Sequence, residues 1–184
     1  SRELGDVSKR QRYPPLHVIQ ALLASAPEIA SLQNKDGETA LHIACNCAAE
    51  DVQLELIRAA PQAVCLVDKY GETPLHIAAR NGATMTVLQE MLQSADRSNV
   101  GVKNKKGITA FCLISRSYVE AESLEDVDED DDFAGDWEAS MVFLRAVAPS
   151  PHTPIAHAAA LCTSCPRPLL IMIMKFYPEQ ALEY

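Results

Sequence analysis

The chain has 184 residues, of which 48% are hydrophobic, enough to bury one sizeable core. Its longest uninterrupted apolar run, 169–174, is far shorter than the roughly 20 residues that a membrane-spanning helix needs. The net charge of −9 is concentrated in residues 120–136, which hold ten carboxylates and neither Lys nor Arg. Without those ten charges the rest of the chain sums to about +1, which opposes nucleic-acid binding through a strongly basic face.

The N-terminal residues and the cysteines give an expectation about location. Residues 1–12 are charged and lack the apolar stretch of a signal peptide, and we expect them to form a flexible segment. Six cysteines in a chain without such a signal favour reduced thiols. These features predict an intracellular protein, cytoplasmic or nuclear, without a membrane span.

A repeated segment organises the chain. The sequence NKDGETALHIAC at 34–45 recurs as DKYGETPLHIAA at 68–79, a shift of 34 positions. A weaker copy, NKKGITAFCLIS, follows at 104–115, and HTPIAHAAA at 152–160 is a fourth trace. A period in this range predicts stacked structural repeats.

Each copy is predicted to form one helix-turn-helix unit. A glycine in the turn, such as Gly37 or Gly71, supplies the positive φ that a side chain would resist. Pro74 and Pro154 are expected at the first helical position, where no hydrogen-bond donor is lost. A threonine is expected to cap each short first helix through its side-chain oxygen. The predicted capping residues are Thr39, Thr73, Thr109 and Thr153.

The segment GETPLHIAARNG, 71–82, resembles the ankyrin-repeat signature almost residue for residue. The resemblance implies an all-α solenoid, an ankyrin-repeat stack of helix-turn-helix units with short β-hairpin-like tips, in which no unit folds alone. The array is expected to cover 13–184 and to continue into further repeats. Its predicted parts are a partial first repeat at 13–33, repeats at 34–67 and 68–103, a repeat at 104–149 with an acidic insertion at 120–136, and a degenerate repeat at 150–184.

The same resemblance implies a non-catalytic protein–protein interaction module or scaffold, expected to be monomeric, that binds a partner protein on its concave face. The alternative is a regulatory ankyrin region of a larger multidomain protein whose catalytic domain lies elsewhere. The contact residues expected on the turns are Lys35, Asp36, Glu38, Lys69, Tyr70, Glu72, Lys105, Lys106 and Ile108. Those expected on the first helices are Asn46, Arg80 and Arg116. The lysines in register predict a basic column, although lysines that only solubilise the turns fit equally well.

Histidines and cysteines have structural interpretations. In the ankyrin signature, His42 and His76 resemble hydrogen-bonding residues that tie the threonine to neighbouring backbone. The pair Cys45 and Cys47 and the pair Cys162 and Cys165 belong to distant repeats, so a shared zinc site is disfavoured. A redox CxxC normally accompanies a βαβ pattern, which the sequence lacks, and small buried thiols are favoured instead.

The acidic run invites a calcium interpretation that its spacing opposes. Asp126, Asp128 and Asp130 match the first, third and fifth positions of an EF-hand loop. The sixth position is Asp131 rather than Gly, and the twelfth is Trp137 rather than Glu. A solvated, disordered insertion is favoured. The sequence also lacks the common phosphate-loop, nucleophile-elbow, zincin and dinucleotide motifs, so no enzyme activity, cofactor or metal is expected.

Overall fold

The computed structural model describes residues 14–47, 49–94, 101–115, 133–148 and 152–162, and the single positions 150, 165, 169, 170, 173 and 174. The chain divides into two compact units, an N-terminal unit, Ser1–Asp96, and a C-terminal unit, Arg97–Tyr184. The predicted flexible segment 1–12 and most of the predicted acidic insertion, 120–132, lie outside the described residues. No helix in the described ranges is long and apolar enough to cross a membrane.

Proline sets the helix boundaries of the N-terminal unit. Pro27 and Pro61 each open a 3-10 helix, and the alanine before each proline leaves the helical region, as the proline ring requires. The equivalent placement of the two prolines confirms the register of the repeat. The elements are α1 Leu16–Ser25, η1 Pro27–Ser31, α2 Ala40–Cys47, α3 Glu50–Ala59, η2 Pro61–Cys65, α4 Pro74–Arg80 and α5 Met85–Ser94.

Two layers of helices build the core of this unit. The short helices α2 and α4 pack against each other, and the longer helices α1, α3 and α5 pack in sequence beside them. Leu41, Ile57 and Met91 are completely buried between the layers. Each such side chain contributes about 1.5–3 kcal/mol relative to an exposed one, so stability comes from stacking consecutive repeats.

The segment before each first helix is a tight turn. The Gly37 N–H donates to the Asn34 carbonyl and the Asn34 N–H donates to the Glu38 carbonyl, both at 2.9 Å. The Asn34 Oδ1 also accepts the N–H groups of Asp36 and Glu38 at 2.9 Å. Among the described residues, β pairing is limited to one isolated bridge, Lys103–Thr109, so the predicted β-hairpin-like tips are not confirmed.

The same turn recurs at the other two strong repeats. Asp68 and Asn104 replace Asn34 and accept the equivalent backbone N–H groups through their side-chain oxygens. Gly37, Gly71 and Gly107 have φ of 78°, 74° and 77°. The predicted positive φ at the turn glycine is therefore confirmed three times.

The C-terminal unit is built around α7. Its described helices are α6 Ala110–Ile114, α7 Phe133–Val147 and α8 Ile155–Leu161. Helix α7 packs against both α6 and α8, and the rings of Phe111 and Phe143 stack with centroids 4.7 Å apart. Because α7 begins at Phe133, the expectation of a disordered insertion up to residue 136 is wrong for residues 133–136.

Threonine caps are present in three repeats but not in the fourth. Thr39 and Thr109 accept the N–H of the residue three positions later, and Thr73 forms a capping box with His76. Helix α8 instead begins at Ile155, with Pro154 as an extended N-cap residue and no side-chain cap. The predicted cap by Thr153 and the helical placement of Pro154 are wrong, because Thr153 Oγ1 accepts the Ser150 N–H at 3.1 Å within its own turn.

Candidate functional site

A buried histidine joins the two full repeats. The Thr39 backbone N–H can only donate, and it lies 3.1 Å from His42 Nδ1, so this nitrogen accepts and the proton resides on Nε2. Nε2 then donates to the Glu72 carbonyl of the next repeat at 3.1 Å. Burial lowers the pKa of His42, which keeps the ring neutral, although the Glu72 bond opposes the shift. The predicted structural role of His42 is confirmed.

Backbone and side-chain bonds tie the two turns side by side. The Lys69 N–H donates to the Asp36 carbonyl at 2.8 Å. The Gln33 amide nitrogen donates to the carbonyls of Gly37, at 2.6 Å, and Val67, at 2.9 Å. The turns 34–38 and 68–72 are thus held in one arrangement. We call the surface formed by these two turns with the exposed ends of α2 and α4 the turn surface.

Charge on the turn surface is compensated at Lys69. Its Nζ lies 3.1 Å from Asp36 Oδ1, and this hydrogen bond raises the pKa of Lys69. The pair is solvent-exposed, so it orders the two side chains more than it stabilises the fold. The predicted contact residues of this unit include three cations and three carboxylates. The charge of Lys69, the middle lysine of the predicted basic column, is therefore neutralised by Asp36.

A second ion pair organises the end of α4. The Arg80 guanidinium binds the Glu72 carboxylate through two nitrogens, one at 3.1 Å from Oε1 and the other in close contact with Oε2. The neighbouring Asn81 side chain donates to Asn46 Oδ1 and to the Cys45 carbonyl, both at 3.0 Å. Asn46, Glu72 and Arg80 thus lie on the turn surface with fixed side chains.

Tyr70 is the most prominent apolar group of the turn surface. Its side chain is 59% exposed at the tip of the second turn. The Lys69 ammonium lies 5.1 Å from the ring centroid, within the range of a cation–π interaction. An aromatic ring is thereby presented to solvent on a turn that is hydrogen-bonded to the preceding repeat.

The remaining predicted contact residues lie in the C-terminal unit. Lys105 and Lys106 are exposed on its turn, and Ile108 is half-buried beside them. Arg116 lies outside the described residues.

Two residues that hold the turn surface were not predicted from the sequence. Gln33 and Asn81 make the clamping bonds described above, but the positions one repeat away hold Val67 and Cys47. Comparison of the repeats with one another identifies only residues that recur at equivalent positions, and neither Gln33 nor Asn81 does.

The cysteines provide no metal centre in the described part of the chain. No group of three or more His, Cys, Asp or Glu side chains there could hold a metal ion. Cys45 is buried as predicted, whereas Cys162 and Cys165 are only half-buried. Burial, with a further contribution from the nearby Cys162, raises the pKa of Cys165 to about 12. The thiolate form of Cys165 is thus disfavoured.

Comparison with protein families supports the repeat assignment. A family model described as ankyrin repeats, in three copies, matches residues 11–104. The match covers 94 of the 184 residues, just over half of the chain. No curated protein matches the chain. Repeats of this kind are generally protein-interaction modules and typically non-catalytic.

Proposed function

Because the chain belongs to the ankyrin-repeat family, we propose that it is a non-catalytic protein-binding module whose turn surface holds a partner protein. This surface is part of the concave face expected from the sequence. The observation that carries the proposal is the presentation of Tyr70, 59% exposed on a turn that is hydrogen-bonded to the preceding repeat. A turn that is already ordered loses little conformational entropy on binding, and tyrosine is enriched among residues that dominate binding energy.

The ion pairs around Tyr70 define the expected partner chemistry. Lys69–Asp36 and Arg80–Glu72 are satisfied within the unit, so they offer mixed charge rather than a positive field. Exposed, balanced charges tune specificity more than affinity. We therefore propose a partner with a pocket for an aromatic ring and a rim of both charges, rather than a strongly acidic partner.

The C-terminal turn is a proposed extension of the contact. Lys105 and Lys106 are exposed, and Ile108 adds a half-buried apolar group. With Arg116 they complete the contact set expected from register. Their contribution is proposed to be secondary, because the exposed aromatic ring lies on the turn of the N-terminal unit.

Photo-crosslinking tests where the partner binds. A photoreactive amino acid at position 35, which is exposed beside Asp36, is expected to form a discrete adduct with a cellular protein. The same group at position 58, on the exposed side of α3, is the matched control and is expected to form none. Unlabelled wild-type chain added in excess before irradiation should suppress formation of the adduct, whereas unlabelled Tyr70→Ala should not. An adduct at position 58 alone, or equal suppression by both competitors, would contradict the proposal.

A further inference from the structure

An apolar groove lies at the N-terminal end of the N-terminal unit, away from Tyr70. It is formed mainly by α1, η1 and α2 and has a volume of about 260 Å³. Among the described residues, eleven side chains line it, and all of these are Pro, Ala, Val, Leu or Ile. Two of the larger ones, Leu22 and Ile43, are exposed to solvent. Contiguous exposed apolar surface of this kind marks a binding site more often than scattered single residues do.

The repeat itself shows that these residues occupy positions that are buried elsewhere. Leu22 is 50% exposed, whereas Leu56, one repeat later, is 4% exposed. Ile43 is 41% exposed, whereas its equivalent Ile77 is 3% exposed. The side chains are the same in each pair, so the difference lies in what covers them.

The covering element in the complete repeat is a short first helix. Helix α2 packs against both α3, which carries Leu56, and α4, which carries Ile77. By the same packing, a first helix one repeat earlier would contact α1 and α2, and the groove lies at that position. The groove is therefore continuous with the interface that joins the repeats and has the shape of a helix seat.

The segment of this chain that falls in the same register is chemically unsuited to that seat. Residues 6–13 read DVSKRQRY, which puts Arg10 in register with Ala44 and Ala78. Both alanines are buried, at 4% and 0% exposure. Burying an arginine there without a partner charge would cost several kcal/mol. The lining residues that the structure describes supply no such charge.

We propose that this groove binds a short amphipathic helix of a partner protein. Helices α2 and α4 indicate which face of the partner helix would contact the groove. Both have the sequence pattern Leu-x-Ile-Ala, in which the Leu and the Ala three positions later are buried. These residues are Leu41 and Ala44 in α2, and Leu75 and Ala78 in α4. Residues three apart lie on one helix face, so a large and a small side chain enter the groove together. This is helix-in-groove recognition on a surface separate from the turn surface.

The test uses the full chain and a peptide probe. The probe is an end-blocked peptide with the sequence of residues 73–82, TPLHIAARNG, and the control peptide carries Ala78→Arg. A free helix this short is marginal in water, so affinity ratios are compared in titrations extended to millimolar peptide. Methyl NMR is expected to show saturable shifts at the groove residues Ile19, Leu22 and Ile43, and about tenfold weaker binding of the control peptide.

Matched protein variants localise the contact. Leu22→Gln in the groove is expected to weaken binding about tenfold. Leu32→Gln changes a leucine outside the groove that is also exposed, at 62% against 50% for Leu22, and should leave the affinity unchanged. Both sites are exposed, so neither variant removes a core side chain. Equal losses in the two variants, equal affinities of the two peptides, or no saturable shifts would overturn the proposal.

Two further outcomes identify a different occupant. If residues 1–13 cover the groove, Val7→Asp, in register with Leu41, would shift the Leu22 and Ile43 methyls without peptide. If a second copy covers it, those methyl shifts would depend on protein concentration. Either result would overturn the proposal, which expects neither.

Discussion

The starts of α2 and α6 share a threonine cap and differ in the residue three positions later. At α2 that residue is His42, whose Nδ1 bonds to Thr39 and whose Nε2 reaches the Glu72 carbonyl of the next repeat. At α6 it is Cys112, whose sulfur accepts the Thr109 hydroxyl at 3.3 Å within the same turn. The threonine cap thus survives the loss of the histidine. The bond across repeats uses the second ring nitrogen, which a thiol does not provide.

Replacing His42 tests this difference most severely. His42→Ala removes the bonds on both ring nitrogens and opens a cavity, so we expect a loss of about 3 kcal/mol of unfolding free energy. Cys112→Ala is the matched change at α6 and should cost about 1 kcal/mol, because it removes the local bond to Thr109 and a small half-buried side chain. Urea unfolding followed by circular dichroism measures both. Equal losses would mean that the bond across repeats adds nothing.

The two turn glycines provide a second contrast. Gly37→Ala and Gly107→Ala both place a side chain at φ near 78°, which costs about 1–2 kcal/mol. A Cβ at Gly37 would also meet the Asp68 Cα at 3.1 Å, whereas Gly107 faces open space. We expect Gly37→Ala to be about 1 kcal/mol more destabilising in the same urea assay. The opposite order would contradict the close packing of the first two turns.

Acid should weaken the N-terminal unit. The pKa of His42 is lowered from its ordinary 6.5, so the folded unit resists a proton that the unfolded chain accepts. Its contribution to stability is complete above pH 6.5 and is lost as the pH falls below that value. Melting temperatures measured across this range should fall less steeply for His42→Ala. Parallel acid profiles for variant and wild type would exclude His42 as the source.

Alkali should weaken the C-terminal unit instead. The pKa of Cys165 is raised from 9.0 to about 12, so the unfolded chain releases a proton that the folded unit retains. The associated stability is complete below about pH 9 and is lost as the pH rises towards 12. Cys165→Ala should flatten the alkaline fall in thermal melts. An unchanged fall would show that other groups cause it.

Breaking the exposed ion pair between Lys69 and Asp36 should have the smallest effect on stability. Asp36→Asn removes the carboxylate that raises the pKa of Lys69, so that pKa should fall towards its ordinary value in NMR titrations. The urea midpoint should hardly change, because the ion pair is exposed and screened. A large loss of stability would mean that Asp36 supports the turn in another way.

Local chemistry explains why the turns and most caps could be predicted from the sequence. A glycine that must adopt positive φ and a threonine that caps a helix act within a few residues, and in the first three copies both recur at spacings of 34 and then 36 positions. The fourth repeat shows the limit of this argument. Thr153 Oγ1 accepts the Ser150 N–H and so does not cap the helix. Helix α8 begins one residue later than expected.

The start of α7 could not be located for a different reason. A run of carboxylates is typical of a solvated loop, but acidic residues are also favourable just before a helix, where the macrodipole is positive. The acidic run therefore did not indicate where the loop ends and α7 begins, which in the structure is at Phe133. Gln33 and Asn81 were missed because their bonds depend on how neighbouring repeats pack, which a single repeat does not encode.

The affinity of the protein captured by the crosslink at position 35 tests the central claim most directly. Tyr70→Ala is expected to weaken its binding by at least about tenfold, since truncating an interface anchor costs more than about 1.4 kcal/mol. Arg58→Ala on α3 is the control and should bind with wild-type affinity, because the Arg58 side chain is 61% exposed and its ion pair with Glu90 contributes little. Wild-type affinity for Tyr70→Ala, or an equal loss in both variants, would contradict binding at the turn surface.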